Sequence, residues 1–511
     1  MLQTIKHIPE TCLTDCRDLI ELAEELAVSQ PGFQRDAVSW ITRAREFLGE
    51  AGLNSYSGER KLEVLANELR TLWLKTSFDA TTSILKSPPH LKSNRLPSRK
   101  QIWFEYERAF KPEQLENEFV KVGDTPKDWD RRHALFSSAM GALTTIGQVF
   151  AVRLDGVNPD KAVRLGMFGG YFETWRMLNY LHDRDFEVVH LDSNADVHTS
   201  IANGELDIML LEPVSYDWDM DVFDIDGFHM AYAAAGAKAP RVVIIDITLV
   251  GTHFPLLDFL AGFKEQPPWM VLSVRSGLKL DQQGLELASV GCVDIFVPIN
   301  KSVPVSAADA HERLAAARTV FGVGLSVNDA GALEAPWIFD QKRLWSFSEA
   351  IFSNNEHFAS QINVKGGIFS KVAHPVVHAH LRGRKGAVAP FVMLHLPISQ
   401  QRSFGHLVAI LVHEVGARGL NWEMGSSFGF RGHRFEVIKA NVQVRPNKDQ
   451  YGLLKVAMGS RGGPSVAGII ELVNDIAAYP DWQTLKTAYA HVAPYVRGKG
   501  GLFVARPPRA V

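Results

Sequence analysis

Lys279 closes the segment WMVLSVRSGLK, where an apolar run gives way to polar residues, and Ser276 stands three positions before it. An amine at the end of a buried strand is a candidate nucleophile toward an aldehyde, because burial or a neighbouring cation lowers its pKa and frees its lone pair. A solvated loop lysine is the other reading of the same residue. Asp246 ends the apolar run VVIID, 33 residues earlier. A carboxylate there is costly without a cationic partner, which a protonated ring nitrogen would supply; an Asp capping the next helix is the alternative. The interval between the two leaves room for one helix and one strand.

Two further segments precede them. FSSAMGAL (136–143) sets small residues and hydroxyls at the opening of a helix, where backbone N–H groups and the helix dipole attract a phosphate. It would serve equally as an N-cap leading into a core helix. YFETWRML (171–178) opens a helix on Tyr171, which can stack on a flat ring or pack in a core. A phosphate cradle, a stacking aromatic, an acid for a pyridine nitrogen and a lysine, in that chain order, are the requirements of pyridoxal 5'-phosphate (PLP) chemistry in the aspartate-aminotransferase-like fold.

The elements that must position these residues are legible in the patterning. RLGMFGG, FEVVHLD, LDIMLLEP, RVVIIDITLV, WMVLSV and VDIFVP are expected strands, several apolar enough to be parallel and buried on both faces. The expectation is an α/β fold, PLP-dependent transferase type I, with a mainly parallel central sheet, helices on both faces and a smaller α+β C-terminal domain. Residues 1–95 carry amphipathic helical spacing and form an N-terminal extension; 96–130 form an arm; 131–345 the large domain; 346–511 a linking helix, expected over about 340–363, and the small domain. There, VHAHLRG, APFVMLHLP and LLKVAMGS are expected strands, and FGHLVAILVHEVGA and PSVAGIIELVNDIAAY expected helices.

Composition narrows the function. A 511-residue chain with 46% apolar and 22% charged residues has ample core, and a net charge of -3 gives no basic surplus for nucleic acid or anionic membrane. Cys12, Cys16 and Cys292 form neither a disulfide framework nor a zinc site, which fits a reducing, cytoplasmic setting. The first residues carry acids where a secretory signal needs an apolar run. The uncharged stretch from Ala134 to Val152 contains hydroxyls, glycines and Gln148, so a buried helix start is expected rather than a membrane span. His374, His378 and His380 do not share a helical face, because Pro375 interrupts them, and the His413-Glu414 pair lacks a second histidine; no metal is expected. The terminal GLFVARPPRAV reads as a short solvated basic tail.

Taken together, the motifs resemble those of the Cys/Met-metabolism PLP-dependent enzymes, the cystathionine synthases and lyases and methionine γ-lyase, over roughly residues 100–480. Tyr106-Glu-Arg108-Ala-Phe-Lys111-Pro112, followed by Leu115-Glu116, is similar to the family's Tyr-x-Arg-x-x-Asn-Pro arm. The resemblance implies that Tyr106 and Arg108 reach a neighbouring subunit's PLP phosphate. Ser137-Ser138-Ala139-Met140-Gly141-Ala142 is similar to Ser-Ser-Gly-Met-Ala-Ala, implying a cradle at Ala139 and Met140. Tyr171-Phe-Glu-Thr174-Trp-Arg176 is similar to Tyr-Gly-Gly-Thr-Tyr-Arg and implies that Tyr171 stacks on the ring. Asp246-Ile247-Thr248 stands for Asp-Asn-Thr, Ser276-Gly-Leu-Lys279 for Ser-x-Thr-Lys, and Ser427-Phe-Gly429-Phe for Ser-Leu-Gly-Gly near the substrate carboxylate. Thr248 and Ser276 thereby become cofactor contacts.

The departures fall where a substrate is chosen. Glu212-Pro213-Val214-Ser215-Tyr216-Asp217 lacks the family's asparagine, leaving Ser215 and Tyr216 as replacements. The carboxylate-binding arginine aligns with Lys455, which pairs as a point charge rather than as a fork; Arg431, Arg434 and Arg461 are the nearby alternatives. The residues after Lys279, LDQQGLELASVG, also replace the family's Tyr-x-Gly-Gly-His-Ser-Asp. The expected activity is a PLP-dependent lyase or transferase on a small amino acid, by γ- or β-elimination or replacement through a Lys279 aldimine, with Lys279 and Tyr171 moving protons. An aminotransferase, aldolase or decarboxylating enzyme is the alternative reaction, and a non-catalytic PLP-fold protein with residues 1–95 as an interaction module the alternative class. An arm that completes a neighbour's site implies a homodimer or homotetramer. Dilution of the holoprotein to monomer, followed by sedimentation and cofactor absorbance, is therefore expected to release PLP; a fully loaded, active monomer would contradict the shared site.

Overall fold

The computed structural model describes residues 12–90, 93–121, 123–151, 162–181, 186–216, 219–263, 266–299, 303–378, 381, 384, 386–398, 400–439, 452–498 and 503–504. His380, most of the basic tail and the chain start lie outside them.

Three helices open the chain: α1 (Cys12–Ser29), α2 (Gln34–Leu48) and α3 (Tyr56–Thr81). A two-stranded ribbon, β1 (Asn94–Arg95) with β2 (Gln101–Ile102), and α4 (Glu113–Lys121) follow. The apolar faces of α1–α3 share one core with Leu96, Ile102, Phe110, Leu115 and Phe119, and with Leu285–Val290 and Leu325–Ile338 of the next domain. The N-terminal helices are thus packed against the large domain rather than held apart from it.

The large domain is built on seven strands: β3 (Trp129–Phe136), β4 (Val163–Phe168), β5 (Phe186–His190), β6 (Ile208–Leu211), β7 (Val242–Asp246), β8 (Met270–Ser276) and β9 (Gly291–Pro298). Their spatial order is β3-β9-β8-β7-β6-β4-β5. The contacts from β8 through β5 are parallel, and only β9 runs against its neighbours. Buried on both faces, β6 and β7 consist of the apolar runs IMLL and VVIID. Helices α5 (Ala139–Ile146), α6 (Phe172–Leu181), α7 (Asn194–Ala202), α8 (Ile225–Ala235), α9 (Leu256–Ala261), α10 (Ala307–Phe321) and α11 (Val327–Ala332) accompany the sheet. Many start at a side-chain cap, as at Ser138, Ser193, Asp224, Ser306 and Ser326.

The long helix α12 (Gln341–Gln361) matches the expected linker and is capped by Asp340. Beyond it lies a second sheet of β10 (Lys371–Ala373), β11 (Val392–Leu396), β12 (Trp422–Met424), β13 (His433–Lys439) and β14 (Gly452–Ala457), in the order β10-β11-β14-β13-β12. Helices α13 (Gln401–Arg418), α14 (Pro464–Ala477) and α15 (Trp482–Ala488) and a ribbon of β15 (Val496–Arg497) and β16 (Phe503–Val504) complete the described chain.

Two local expectations are corrected. The stretch from Ala134 does not begin a helix: Trp129–Phe136 is an edge strand paired with β9, and the helix starts only at Ala139. Arg131 and His133 on β3 both meet the buried Asp294 of β9, at 2.7 and 2.9 Å, which pins the strand. Most of VHAHLRG (377–383) lies outside the described residues; just before it Pro375 starts a single helical turn that ends at Val377, and the His374 imidazole accepts from the Val376 N–H at 3.2 Å. The segment HRFEVIK, not among the expected strands, is β13. Among the described residues no helix is long and apolar enough to cross a membrane, and none forms a group of metal ligands.

The N-terminal helices also grip the small domain through buried charge. Asp15 on α1 binds Arg431 and Arg461, each at 2.6 Å; Asp18 binds Arg431 at 2.6 Å, and Glu63 binds Arg461 at 3.1 Å. Glu59 on α3, fully buried, accepts from the Ser465 hydroxyl and backbone N–H. Burial alone would raise the Asp15 pKa, but the two guanidinium groups outweigh it and hold the carboxyl below its ordinary value. Its stabilisation is therefore complete above about pH 4, the unfolded-state value, and is lost as the pH falls through the folded one. Asp15→Asn leaves two buried guanidinium groups without their shared counter-charge. A loss of about 3–5 kcal/mol in urea-unfolding stability at pH 7 is expected, shrinking at low pH.

Candidate active site

The candidate residues converge where the large-sheet strands end. In the parallel register Asp246 lies opposite Val274, so Asp246 and the Ser276–Lys279 turn leave neighbouring strands side by side. Thr248 ties them together: its N–H donates to Asp246 at 2.9 Å, and its hydroxyl accepts from the Ser276 N–H at 3.0 Å. Burial raises the Asp246 pKa against the opposing Thr248 contacts, the signature of a carboxylate that lacks a counter-charge.

Lys279 is held by the small domain. Its ammonium donates to Ser427 Oγ at 2.5 Å and lies 5.7 Å from the centre of the Phe428 ring. Ser427 has φ +81° and Gly429 φ +89°, both in the left-handed region. A Cβ on Gly429 would overlap the Lys279 carbonyl, so only glycine permits this approach. On the other side, Arg275 on β8 binds Asp281 at 2.8 Å and Asp294 at 3.4 Å, anchoring the chain just after the lysine. Burial lowers the Lys279 pKa, with Lys455 and Arg434 adding to the effect while Glu286 and Glu173 oppose it.

The cradle is formed at the start of α5. Ser138 Oγ accepts from the Gly141 N–H at 3.0 Å, which leaves the Ala139 and Met140 N–H groups, without partners in a helix's first turn, for an anion. Gly291 of β9 makes room for this turn, because a Cβ there would overlap the Ser138 carbonyl. Tyr171 opens α6 and meets Tyr216 edge-on, with ring centres 5.6 Å apart. Its hydroxyl donates to Glu173 at 2.7 Å; burial and that carboxylate push its pKa well up, so the phenol stays protonated.

Buried Glu212 organises both tyrosines, accepting from the N–H groups of Gly170, Tyr171 and Tyr216 at 3.0, 3.0 and 2.9 Å. Burial and the nearby Asp246 push its pKa up to about 7 despite these bonds. In the sequence Glu212 stands only at the head of the departing Glu-Pro-Val motif, and Glu173 only as one residue of YFETWRML. The signal for Glu173 was present, since it stands where the resembling motif has glycine.

The four candidate carboxylate binders separate. Arg431 and Arg461 are 3% and 1% exposed and committed to Asp15, Asp18 and Glu63, so the structure does not bring them to the Lys279 amine as expected. Lys455 does lie there, 3.3 Å from Glu436 Oε2 and 3.4 Å from Tyr216 Oη. Ser427 reaches Lys279 itself. Tyr106 and Arg108 sit on the surface, Tyr106 57% exposed, with the guanidinium 6.0 Å from the phenol ring. Ser215, the alternative to Tyr216 for the missing asparagine, is buried, and its hydroxyl has no hydrogen-bond partner among the described residues.

A seven-stranded, mostly parallel sheet with helices around it, a smaller C-terminal sheet, and a lysine and an acid on adjacent strand ends define the type I fold of PLP-dependent enzymes. Solved structures agree. A methionine gamma lyase from Micromonospora echinospora is 15% identical, with 77% of this chain and 92% of that one covered and a TM-score of 0.52. A cystathionine gamma synthase from Xanthomonas oryzae pv. oryzae, solved with cystathionine, is 16% identical over 80% and 98% of the two chains, with a TM-score of 0.54. A cystathionine gamma-lyase from Lactobacillus plantarum, complexed with L-serine, is 15% identical over 78% and 97%, with a TM-score of 0.50. No family model and no curated protein sequence matches the chain.

The residues present fit PLP. They offer an amine of lowered pKa, a half-buried acid that pairs with no cation among the described residues, an aromatic close enough to that acid to feel its charge, and a helix N-terminus opened by a close glycine approach. Gly429→Ala, which forces a Cβ into the Lys279 carbonyl at an unfavourable φ, is expected to lower PLP affinity at least tenfold and to lower the melting temperature of the apoprotein. Fluorescence titration with PLP and a thermal melt check both.

Proposed function

We propose that this chain is a PLP-dependent lyase or transferase that acts on an amino acid by γ- or β-elimination or replacement, on a sulfur amino acid or an O-activated homoserine-like substrate. The observation that carries the proposal is the pairing of Lys279, its pKa lowered by burial, with Asp246, a half-buried carboxylate that pairs with no cation among the described residues, at the ends of adjacent strands. PLP, when bound, supplies an aldehyde that captures amines and a ring that takes up electron density from the substrate.

The chain's own residues divide the remaining work. The N–H groups of Ala139 and Met140 hold the phosphate, with the Ser276 hydroxyl beside them and Tyr106 and Arg108 contributed to a partner's site. Asp246 would hold a proton at the pyridine nitrogen. Tyr171 covers one face of the ring, its phenol protonated and held by Glu173. Lys279, once its amine is free, takes the proton from the substrate α-carbon and returns a proton to the leaving side; its lowered pKa keeps a usable fraction neutral. Ser427 fixes the direction of that amine.

A second reading, with transamination, aldol cleavage or decarboxylation in place of elimination, draws on one observation: Lys455 already shares its charge with Glu436, so the carboxylate end of the substrate is handled differently here. Mixing the holoprotein with O-acetylhomoserine, cystathionine and methionine separates the two. A spectral change with at least one supports elimination or replacement, and silence with all three favours the second reading. For either, Lys279→Ala is expected to abolish the visible absorbance of the lysine-bound cofactor in purified protein. Persistence of that band would sink the assignment.

A further inference from the structure

One face of the small sheet carries a group of charges that neither the cofactor residues nor the N-terminal clamp uses. Side chains alternate along a strand, and on β13 Phe435 and Val437 point into the core shared with α13 and α14. Arg434 and Glu436 therefore point the other way, toward the large domain. Glu436 pairs across to Lys455 and Arg434 to Ala457, while Met393 on β11 lies opposite Lys455. Met393, Ala457 and neighbouring Phe391 belong to the core that continues into the large domain, which confirms where this face looks.

Besides Lys371, which is paired with Asp219 at 2.6 Å, this face carries Lys455 and Arg434, and these two are in different states. Lys455 is 3% exposed and surrounded: it donates to Glu436 and Tyr216 and lies 5.4 Å from the Phe391 ring centre. Tyr216 and Glu436 outweigh the burial that would otherwise lower its pKa. Arg434 is open by comparison. Its guanidinium stacks on Phe430, 3.3 Å from the ring centre, and its side chain runs along Gly425, on the same loop that brings Ser427 and Gly429 to Lys279. Its ion pair with Glu286 is 3.7 Å long, beyond hydrogen-bond distance, and it donates no hydrogen bond to another described residue. A guanidinium held flat by an aromatic ring, with its donor fork free, is preorganised for bidentate carboxylate binding. Its charge is also felt at Lys279.

We infer that Arg434 binds the α-carboxylate of the amino-acid substrate, while Lys455, closed off by Glu436 and Tyr216, forms a wall of the cleft and does not. The inference rests on the function proposed above. It predicts that recognition of the carboxylate resides on β13, one strand away from Lys455.

The test compares dissociation constants of the holoprotein for L-methionine and for methylthiopropylamine, the same molecule without its carboxylate, by calorimetry and by cofactor absorbance. Unmodified protein is expected to prefer the amino acid by roughly tenfold to a hundredfold, the range for a charged hydrogen-bonded contact. Arg434→Met and Arg434→Gln should bring that ratio close to one with amine binding unchanged, and Arg434→Lys should restore part of it. Lys455→Met should leave the ratio intact. A ratio retained in both neutral Arg434 variants, or lost in Lys455→Met, would overturn the inference while leaving the proposed function standing. Absence of any cofactor band in the unmodified protein would overturn both. Amine binding serves as the internal control for folding, because a merely structural role for Arg434 would weaken both ligands together.

Discussion

The small domain reaches Lys279 through one backbone contact, Gly429 against the Lys279 carbonyl, and much else depends on its closeness. With no side chain between the two chains, Ser427 can meet the Lys279 amine and Phe428 can wall it on one side. The same loop continues into β13, which delivers Arg434 and Glu436 to the cleft. Any outward shift of this loop would loosen the amine and the substrate end of the site together. The site belongs to the interface between domains, where two rigid elements can be set against each other to a fraction of an ångström.

Charge is handled by separation. On the N-terminal side Asp15 is shared by Arg431 and Arg461, with Asp18 and Glu63 as further counter-charges, and beneath the lysine turn Arg131, His133 and Arg275 meet Asp281 and Asp294. Both networks tie segments distant in sequence. Around Lys279 the pattern is different. Asp246 pairs with no cation among the described residues and burial pushes the Glu212 pKa up to about 7, so here burial is not offset by ion pairing as it is at Asp15 and Asp294.

The N-terminal helices acquire a physical role from this arrangement. Read along the chain they are an amphipathic extension; folded, they bury their apolar faces against the large domain and their acids against two arginines of the small one. They thereby bind two bodies whose relative position sets the site.

The apolar runs and the order of their punctuating residues were enough to read the α/β sheet and the linking helix and to single out Asp246 and Lys279 as strand-end polar residues, because parallel strands buried on both faces leave an unmistakable pattern and polar residues at their ends stand out. The edge strand β3 was hidden, since its pairing depends on Arg131 and His133 meeting an aspartate 161 or more residues away. The fate of the arginines was hidden for the same reason. Arg431, Arg434 and Arg461 are equal in chemistry and close in sequence, and only the placement of Asp15, contributed from more than 400 residues earlier, shows which are sequestered. Local pattern determines which residues can do chemistry; long-range packing decides which of them are left free to do it.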